Sequence, residues 1–166
     1  MSAAEAALAE VRELLTLEAD LLDRRRWAEW LELYLDDCVY WVPSWLDEET
    51  TGEDPELQVN MIYITSKAGL EARLLRIESG DAYAESPAAR TSHLVDTIRI
   101  VDDTDDGIEV SAKWLTLSCN MRWGKQLRGG WYDYRLKRRD GRLAIAEKKI
   151  TLLEDVIDGA IDIHQI

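Results

Sequence analysis

The groups in this chain that could do metal, nucleophilic or acid–base chemistry are few: two histidines, two cysteines and a surplus of carboxylates. A mononuclear iron or zinc site needs about three protein ligands, commonly His with a carboxylate. His93 lies mid-chain and His164 near the end of the sequence. A Rieske cluster needs two Cys and two His in tight local pairs. The chain has that number of each, but Cys38 and Cys119 are far apart and neither sits in a Cys-x-x-Cys or Cys-x-His pattern. No metal site is expected in this chain.

For acid–base work, His93 and Asp96 look like a dyad on paper. Three residues apart on a strand, they point to opposite faces and should not touch. A carboxylate from elsewhere, such as Asp20 or Asp37, could meet His93 in a dehydratase- or isomerase-like pocket. The plainer reading is that His93 hydrogen-bonds neighbouring backbone or an interface partner. Ser92 and His93 diverge as adjacent strand residues. Both cysteines read as core thiols rather than nucleophiles. Gly129-Gly130 is a hairpin feature, not a phosphate loop. Arg24-Arg25-Arg26 is a solvated helix junction. Lys148-Lys149, adjacent in a strand, face both ways, so one of them should meet an acidic partner or a subunit boundary.

The elements that must position these groups are helical first and stranded later. Residues 4–22 form a helix with an apolar stripe of Leu8, Val11, Leu15 and Leu22. A short helix follows, with Trp27, Trp30, Leu31 and Tyr34 on one face, ended by Asp36-Asp37. Residues 38–45 read as a strand that Pro43 places at an edge or bend. Residues 46–56 are an acidic loop and 57–65 a second strand. Ser66 caps a helix over 67–78, and 79–89 is loop-like. Residues 90–101 suit a central strand, since both its faces are largely apolar and β-branched. A turn at 102–107 leads to a long strand over 108–123. Its apolar phase switches at Leu115 and Leu117, which predicts a bulge or bend there. A hairpin connection over 124–130, a strand over 131–138, an Asp140-Gly141 turn and a last strand over 143–153 follow. The tail, 154–166, has no clear period. Helices then strands indicate α+β architecture, with long bent strands wrapped round the first helix as a cone.

Bulk properties narrow the function. At 166 residues a single domain over 1–166 is the natural reading. A net charge of -13 repels phosphate backbones and anionic membranes, so neither nucleic acid nor membrane is an expected partner. The absence of a secretory signal and of paired cysteines suggests a reducing cytoplasm. Phe is absent while Trp appears seven times. Trp and Tyr must therefore supply the aromatic packing, and part of that area suits subunit contacts.

Several stretches, in order, resemble a family. They are Leu17-Glu18-Ala19-Asp20-Leu21-Leu22-Asp23, Trp27-Ala28-Glu29-Trp30-Leu31-Glu32-Leu33-Tyr34, Tyr40-Trp41-Val42-Pro43 and Glu53-Asp54-Pro55. Then come Arg90-Thr91-Ser92-His93, Lys148-Lys149-Ile150 and Ile161-Asp162-Ile163-His164-Gln165-Ile166. The chain resembles the small (β) subunit of bacterial aromatic-ring-hydroxylating (Rieske non-haem iron) dioxygenases, most of all those of benzoate, toluate and anthranilate dioxygenases. Asp96, where many relatives have Asn, and the missing Phe depart from that pattern.

The resemblance implies a cystatin-like, NTF2-like cone and a hetero-hexamer of three large and three small subunits. It implies a [2Fe-2S] Rieske cluster and a mononuclear iron in the large (α) subunit, with NADH electrons arriving through a separate reductase. No catalytic, cofactor or metal residue is then expected here. The structural or interface candidates are Arg90, His93, Asp96, Trp41, Lys148, Lys149 and Asp155. The competing readings are a stand-alone dehydratase or isomerase using His93 with a carboxylate in the cone, and a small-molecule binding module.

The ligand shortage generates a first prediction. The isolated chain should hold no stoichiometric iron after chelation and gel filtration, and should show no Rieske absorbance. One retained iron per chain contradicts it.

Overall fold

The structure, a computed structural model, describes residues 2–80 and 88–166. Helix α1 is Ala3–Asp23, and its start is fixed by a reciprocal cap. The Ser2 Oγ accepts from the Glu5 N–H, and the Glu5 carboxylate accepts from the Ser2 N–H, which satisfies two donors that the first turn leaves open. Its end is the Arg24-Arg25 junction, where Arg25 takes φ 56° and donates to the carbonyls of Ala88 and Ala89.

Helix α2 is Trp27–Leu31 and strand β1 is Tyr34–Pro43. Asp36-Asp37 therefore lies inside a strand instead of ending a helix. The single turn of α2 closes at Glu32, and Leu33 runs straight into the sheet, its carbonyl accepting from the Ile145 N–H. Strand β2 is Asn60–Ile64 and helix α3 is Lys67–Glu78, the latter capped by the Ser66 hydroxyl as expected. Of the loop-like stretch 79–89, residues 81–87 lie outside the described residues.

Four long strands complete the sheet: β3 Arg90–Thr104, β4 Gly107–Asn120, β5 Gly124–Arg139 and β6 Arg142–Leu152. The order is β2-β1-β6-β5-β4-β3. The consecutive pairs β3–β4, β4–β5 and β5–β6 are antiparallel, and β1 joins β6 in parallel. Strand β3 is thus an edge strand, not a central one. The Asp140-Gly141 turn holds φ 53° and 80°, the two positive values that a type I′ hairpin needs.

Two further expectations shift. The β4–β5 turn comes earlier than 124–130, because the Asn120 Oδ1 accepts from the N–H groups of Arg122 and Trp123 and folds the chain back at Gly124. The change of phase is not in β4, which keeps an unbroken register with β5. Ile108, Val110, Ala112, Trp114, Thr116 and Ser118 all stay buried on the inner face, while Leu115 and Leu117 stay exposed on the outer one. The phase changes in β3 instead. Thr97 adopts φ 53° at a register shift between Asp96 and Arg99. The inward positions therefore run His93 and Val95, then Ile98 and Ile100. A bulge of this kind bends a strand and wraps β3 around α1.

The core lies between α1 and the inner face of the sheet. Residues 158–166 close its open end. Their backbone carbonyl at Asp158 accepts from Gln126 and Arg128, Asp162 pairs with Arg73 of α3, and the Ile163 carbonyl accepts from the Tyr40 hydroxyl at 3.5 Å. Ile163 and Ile166 are fully buried.

Candidate functional site

The chemistry-bearing groups of the interior gather around one carboxylate. Glu18 sits on the buried stripe of α1 with Leu14, Leu15, Leu21 and Leu22. Lys148 points inward from β6 in phase with Ile150 and Leu152. The Lys148 Nζ donates to the Glu18 Oε1 at 2.9 Å, the Tyr134 hydroxyl donates to the Oε2 at 2.8 Å, and the Tyr34 hydroxyl donates to the Oε1. The ammonium also lies 4.1 Å from the centre of the Tyr132 ring, with the Tyr134 and Tyr40 rings beyond. Glu18 and Lys148 are 2% and 1% exposed, so water solvates neither.

Burial pushes the Lys148 ammonium down, and the Glu18 carboxylate pulls it back up. The phenols of Tyr34, Tyr40, Tyr132 and Tyr134 are held well above the usual value, first by burial and then by the Glu18 charge. Among the described residues three donors meet on one carboxylate. The cluster is built as a fastening.

His93 finds a carboxylate, but neither Asp20 nor Asp37 supplies it. Asp20 pairs with Arg24 on the surface, and Asp37 is exposed on β1. The partner is Asp23, at the last turn of α1. Its Oδ1 lies 2.6 Å from the His93 Nδ1 and its Oδ2 accepts from the His93 N–H at 2.8 Å. Burial raises the Asp23 carboxyl, but the bonds from His93 outweigh it and the group is net lowered. Asp96 is exposed at the β3 bulge, on the opposite face from His93. His164 lies edge-on to Trp27, and burial drives its imidazole down to about 4. Burial pushes the Cys38 thiol up to about 11. Both cysteines are free, and among the described residues no group of His, Cys, Asp and Glu could hold a metal ion.

Of the remaining candidates Arg90 and Asp155 are exposed, Lys149 is partly exposed and Trp41 is buried. Lys149 spreads over the Trp41 ring at 4.5 Å, and Trp41 donates to the Asn60 Oδ1. Arg90 reaches the Cys119 sulfur at 3.8 Å, and Asp155 is exposed after β6. A feature that sequence reasoning missed joins them. Leu94 pairs with Leu115, and Leu117 with Leu127, on neighbouring strands of the outer face. All four are exposed, as are Trp131 and Leu153 at its margin. The signal was present in Leu115 and Leu117, apolar residues out of phase with Ile108, Val110, Ala112 and Trp114.

A helix-backed, curved six-stranded sheet closed into a cone defines the NTF2-like class of folds. A candidate scytalone dehydratase from Novosphingobium aromaticivorans shares it, at TM-score 0.68 and 14% identity over 95% of this chain and 93% of that one. At that identity the likeness shows the fold alone. The family is fixed by closer matches. The model of the ring hydroxylating beta subunit matches residues 17–159. The 2-halobenzoate 1,2-dioxygenase small subunit of Burkholderia cepacia is 34% identical over the whole of both chains. The beta subunit of benzoate 1,2-dioxygenase from Burkholderia mallei superposes at TM-score 0.78, with 30% identity over 95% of this chain and 96% of that one. The chain belongs to the ring-hydroxylating dioxygenase beta-subunit family.

Two predictions come from the interior. Removing one member of a buried charge pair strands the other, at a cost of about 3–5 kcal/mol. Lys148→Met should lose stability on that scale in chemical denaturation, and Glu18→Leu/Lys148→Met should recover part of it. The second concerns alkali. A phenol raised in the fold keeps a proton that the unfolded chain gives up near pH 10. Stability from these groups is whole below about pH 10 and is lost as the pH rises beyond it. In an absorbance titration, the phenolates of Tyr34, Tyr40, Tyr132 and Tyr134 should appear only together with loss of near-ultraviolet circular dichroism. Their appearance near pH 10 in an intact fold contradicts the assignment.

Proposed function

We propose that this chain is the structural, non-catalytic small subunit of the terminal oxygenase of an aromatic-ring-hydroxylating dioxygenase in aromatic catabolism. Its partner is a large subunit carrying a Rieske [2Fe-2S] cluster and a mononuclear iron. The assembly has three large and three small chains, works in the cytoplasm, and holds a cluster in one large chain near the iron of the next. The substrate class is an aromatic carboxylic acid, in keeping with relatives named for 2-halobenzoate, toluate and benzoate. Residues 1–166 act as one domain.

The observation that carries the reading is the outer-face patch of Leu94, Leu115, Leu117 and Leu127. A contiguous exposed apolar patch marks an interaction site, and permanent interfaces are more apolar than transient ones. Arg90, Lys149, Asp96 and Asp155 are our candidates for the polar rim of such contacts, with Trp41 buried beneath Lys149 as its support. The interior supports the same reading. Asp23 and the strand ladder fix His93, and residues 158–166 lie across the cone's open end. A stand-alone dehydratase or isomerase using His93 is therefore not favoured.

The test is co-expression with the large chain, followed by sizing. Leu115→Asp/Leu117→Asp should melt within a few degrees of wild type, because exposed substitutions cost about 0.5 kcal/mol or less. Assembly should weaken by about thirty-fold or more, the loss of roughly 2 kcal/mol at a contact centre. A variant that assembles like wild type removes the patch from the interface. A wild-type monomer that turns over substrate unaided overturns the subunit reading itself.

A further inference from the structure

Leu152 ends the last strand, and residues 158–166 return over the open end of the cone with no helix or strand of their own. Side chains and single carbonyls hold them there. Gln126 and Arg128 donate to the Asp158 carbonyl, the Tyr40 hydroxyl donates to that of Ile163, and Asp162 pairs with Arg73 of α3. Gly159 takes φ 87°, and a side chain there would begin 3.2 Å from the Trp123 ring, which fixes how the segment enters. None of these contacts is a rung of the sheet. The segment can therefore leave as a unit with every strand pair intact.

What it carries into the interior is an imidazole. His164 is 1% exposed and lies edge-on to Trp27 of α2, with ring centres 6.2 Å apart. Among the described residues, the charged and titratable groups that face it are Asp162 from its own segment, Arg25 from the α1–α2 junction and His93 from β3. Arg25 is always a cation and is held in place by the carbonyls of Ala88 and Ala89. Asp162 is already engaged by Arg73 and by the Ile163 N–H, and Asp23 by His93. A proton on the seated His164 puts a further cation near Arg25 in a site shielded from water, which burial and like charge both oppose. In a released segment the same ring sits in water.

We propose that residues 158–166 are an acid-released strap, seated by neutral His164 and let go when that ring takes a proton, so that the cone opens while the sheet stays folded. This device goes beyond the subunit reading and does not depend on it.

The direction follows from the two environments. Burial first, and then Arg25 and His93 against the pull of Asp162, drive the seated imidazole down to about 4. A histidine in water takes its proton near pH 6.5. Above that pH neither form is protonated and the strap is fully held. As the pH falls towards 4, the released form holds the extra proton, and release grows by about tenfold per pH unit.

The experiment is hydrogen exchange read by mass spectrometry on the purified protein, with whatever chain accompanies it, from pH 7.5 to 5. That range stays above the point where carboxylates in water take up protons. After correction for intrinsic exchange rates, protection of the amides of residues 158–166 should fall by about thirty-fold, while the β4–β5 ladder keeps its own. His164→Phe, which cannot titrate and keeps a ring against Trp27, should flatten the profile of the strap. Three results overturn the proposal: strap amides unprotected at pH 7.5, strap protection that stays level down to pH 5, or strap protection that falls in step with the ladder. A fall of the same size in a folded His164→Phe also overturns it. The wild-type profile decides even where the variant does not fold.

Discussion

The fold depends on one buried carboxylate. Glu18 brings a charge into an interior of leucines and aromatic rings, where an unpaired ion costs several kcal/mol. Three donors from three strands meet it: Tyr34 from β1, Tyr134 from β5 and Lys148 from β6. The same contacts that neutralise Glu18 therefore lock α1 to three of the sheet's strands in one register. An apolar residue at position 18 could slide along an apolar sheet. A carboxylate that must meet three fixed donors cannot. The parallel seam between β1 and β6 brings Tyr40 and Lys148 side by side, and β5 brings Tyr134 beside Lys148 from the other flank. The odd topology of the sheet, with its first strand inserted beside its last, is what assembles the donor set.

Part of this arrangement is legible: Lys148-Lys149 calls for an acidic partner, which Glu18 supplies to Lys148, but Glu18 itself is not among the residues singled out from the sequence, although its spacing carries the signal. Glu18 falls three and four positions from Leu15, Leu14, Leu21 and Leu22, so a carboxylate lies on the stripe that must be buried. Lys148 falls in phase with Ile150 and Leu152, so an ammonium lies on the buried face of a strand. A buried acid and a buried base in one small domain have strong reason to meet. The Asp23–His93 pair is less legible, because Asp23 sits at a helix end where burial depends on the approach of β3. The β3 bulge is not legible at all. Thr97 is β-branched and disfavours positive φ, so no local preference announces the phase change. It follows from the need to turn Ile98 and Ile100 onto a core that His93 and Val95 already face.

The position of β3 shows how a pattern can be read correctly and still assigned the wrong place. Its two apolar faces are real. One covers α1, and the other contributes Leu94 to the outer patch. Apolar residues on both sides of a strand ordinarily mean that both are covered within the chain. Here the second face is left exposed, and an edge strand with an open apolar face takes on the appearance of a central one. The same logic applies to β4, where Leu115 and Leu117 look like a change of phase because the outward positions turn apolar at the patch.

The polar groups of this chain's interior differ in kind from its exposed outer-face leucines. A cone that opens to solvent can admit a substrate, and the polar residues of this one, Glu18, Lys148, His93 and Asp23, are of the kinds that carry acid–base chemistry elsewhere. What separates a fastening from an active site is who completes the hydrogen bonds. Glu18 has its donors from the protein, and Asp23 has both its oxygens engaged by His93. Residues 158–166 are tied to α3, β1 and β5 by separate contacts, so opening the cone means breaking several interactions at once. Leu115 and Leu127 lie on the opposite face of the sheet from the Glu18 cluster, so changing either leaves the bonds to Glu18 from Tyr34, Tyr134 and Lys148 untouched.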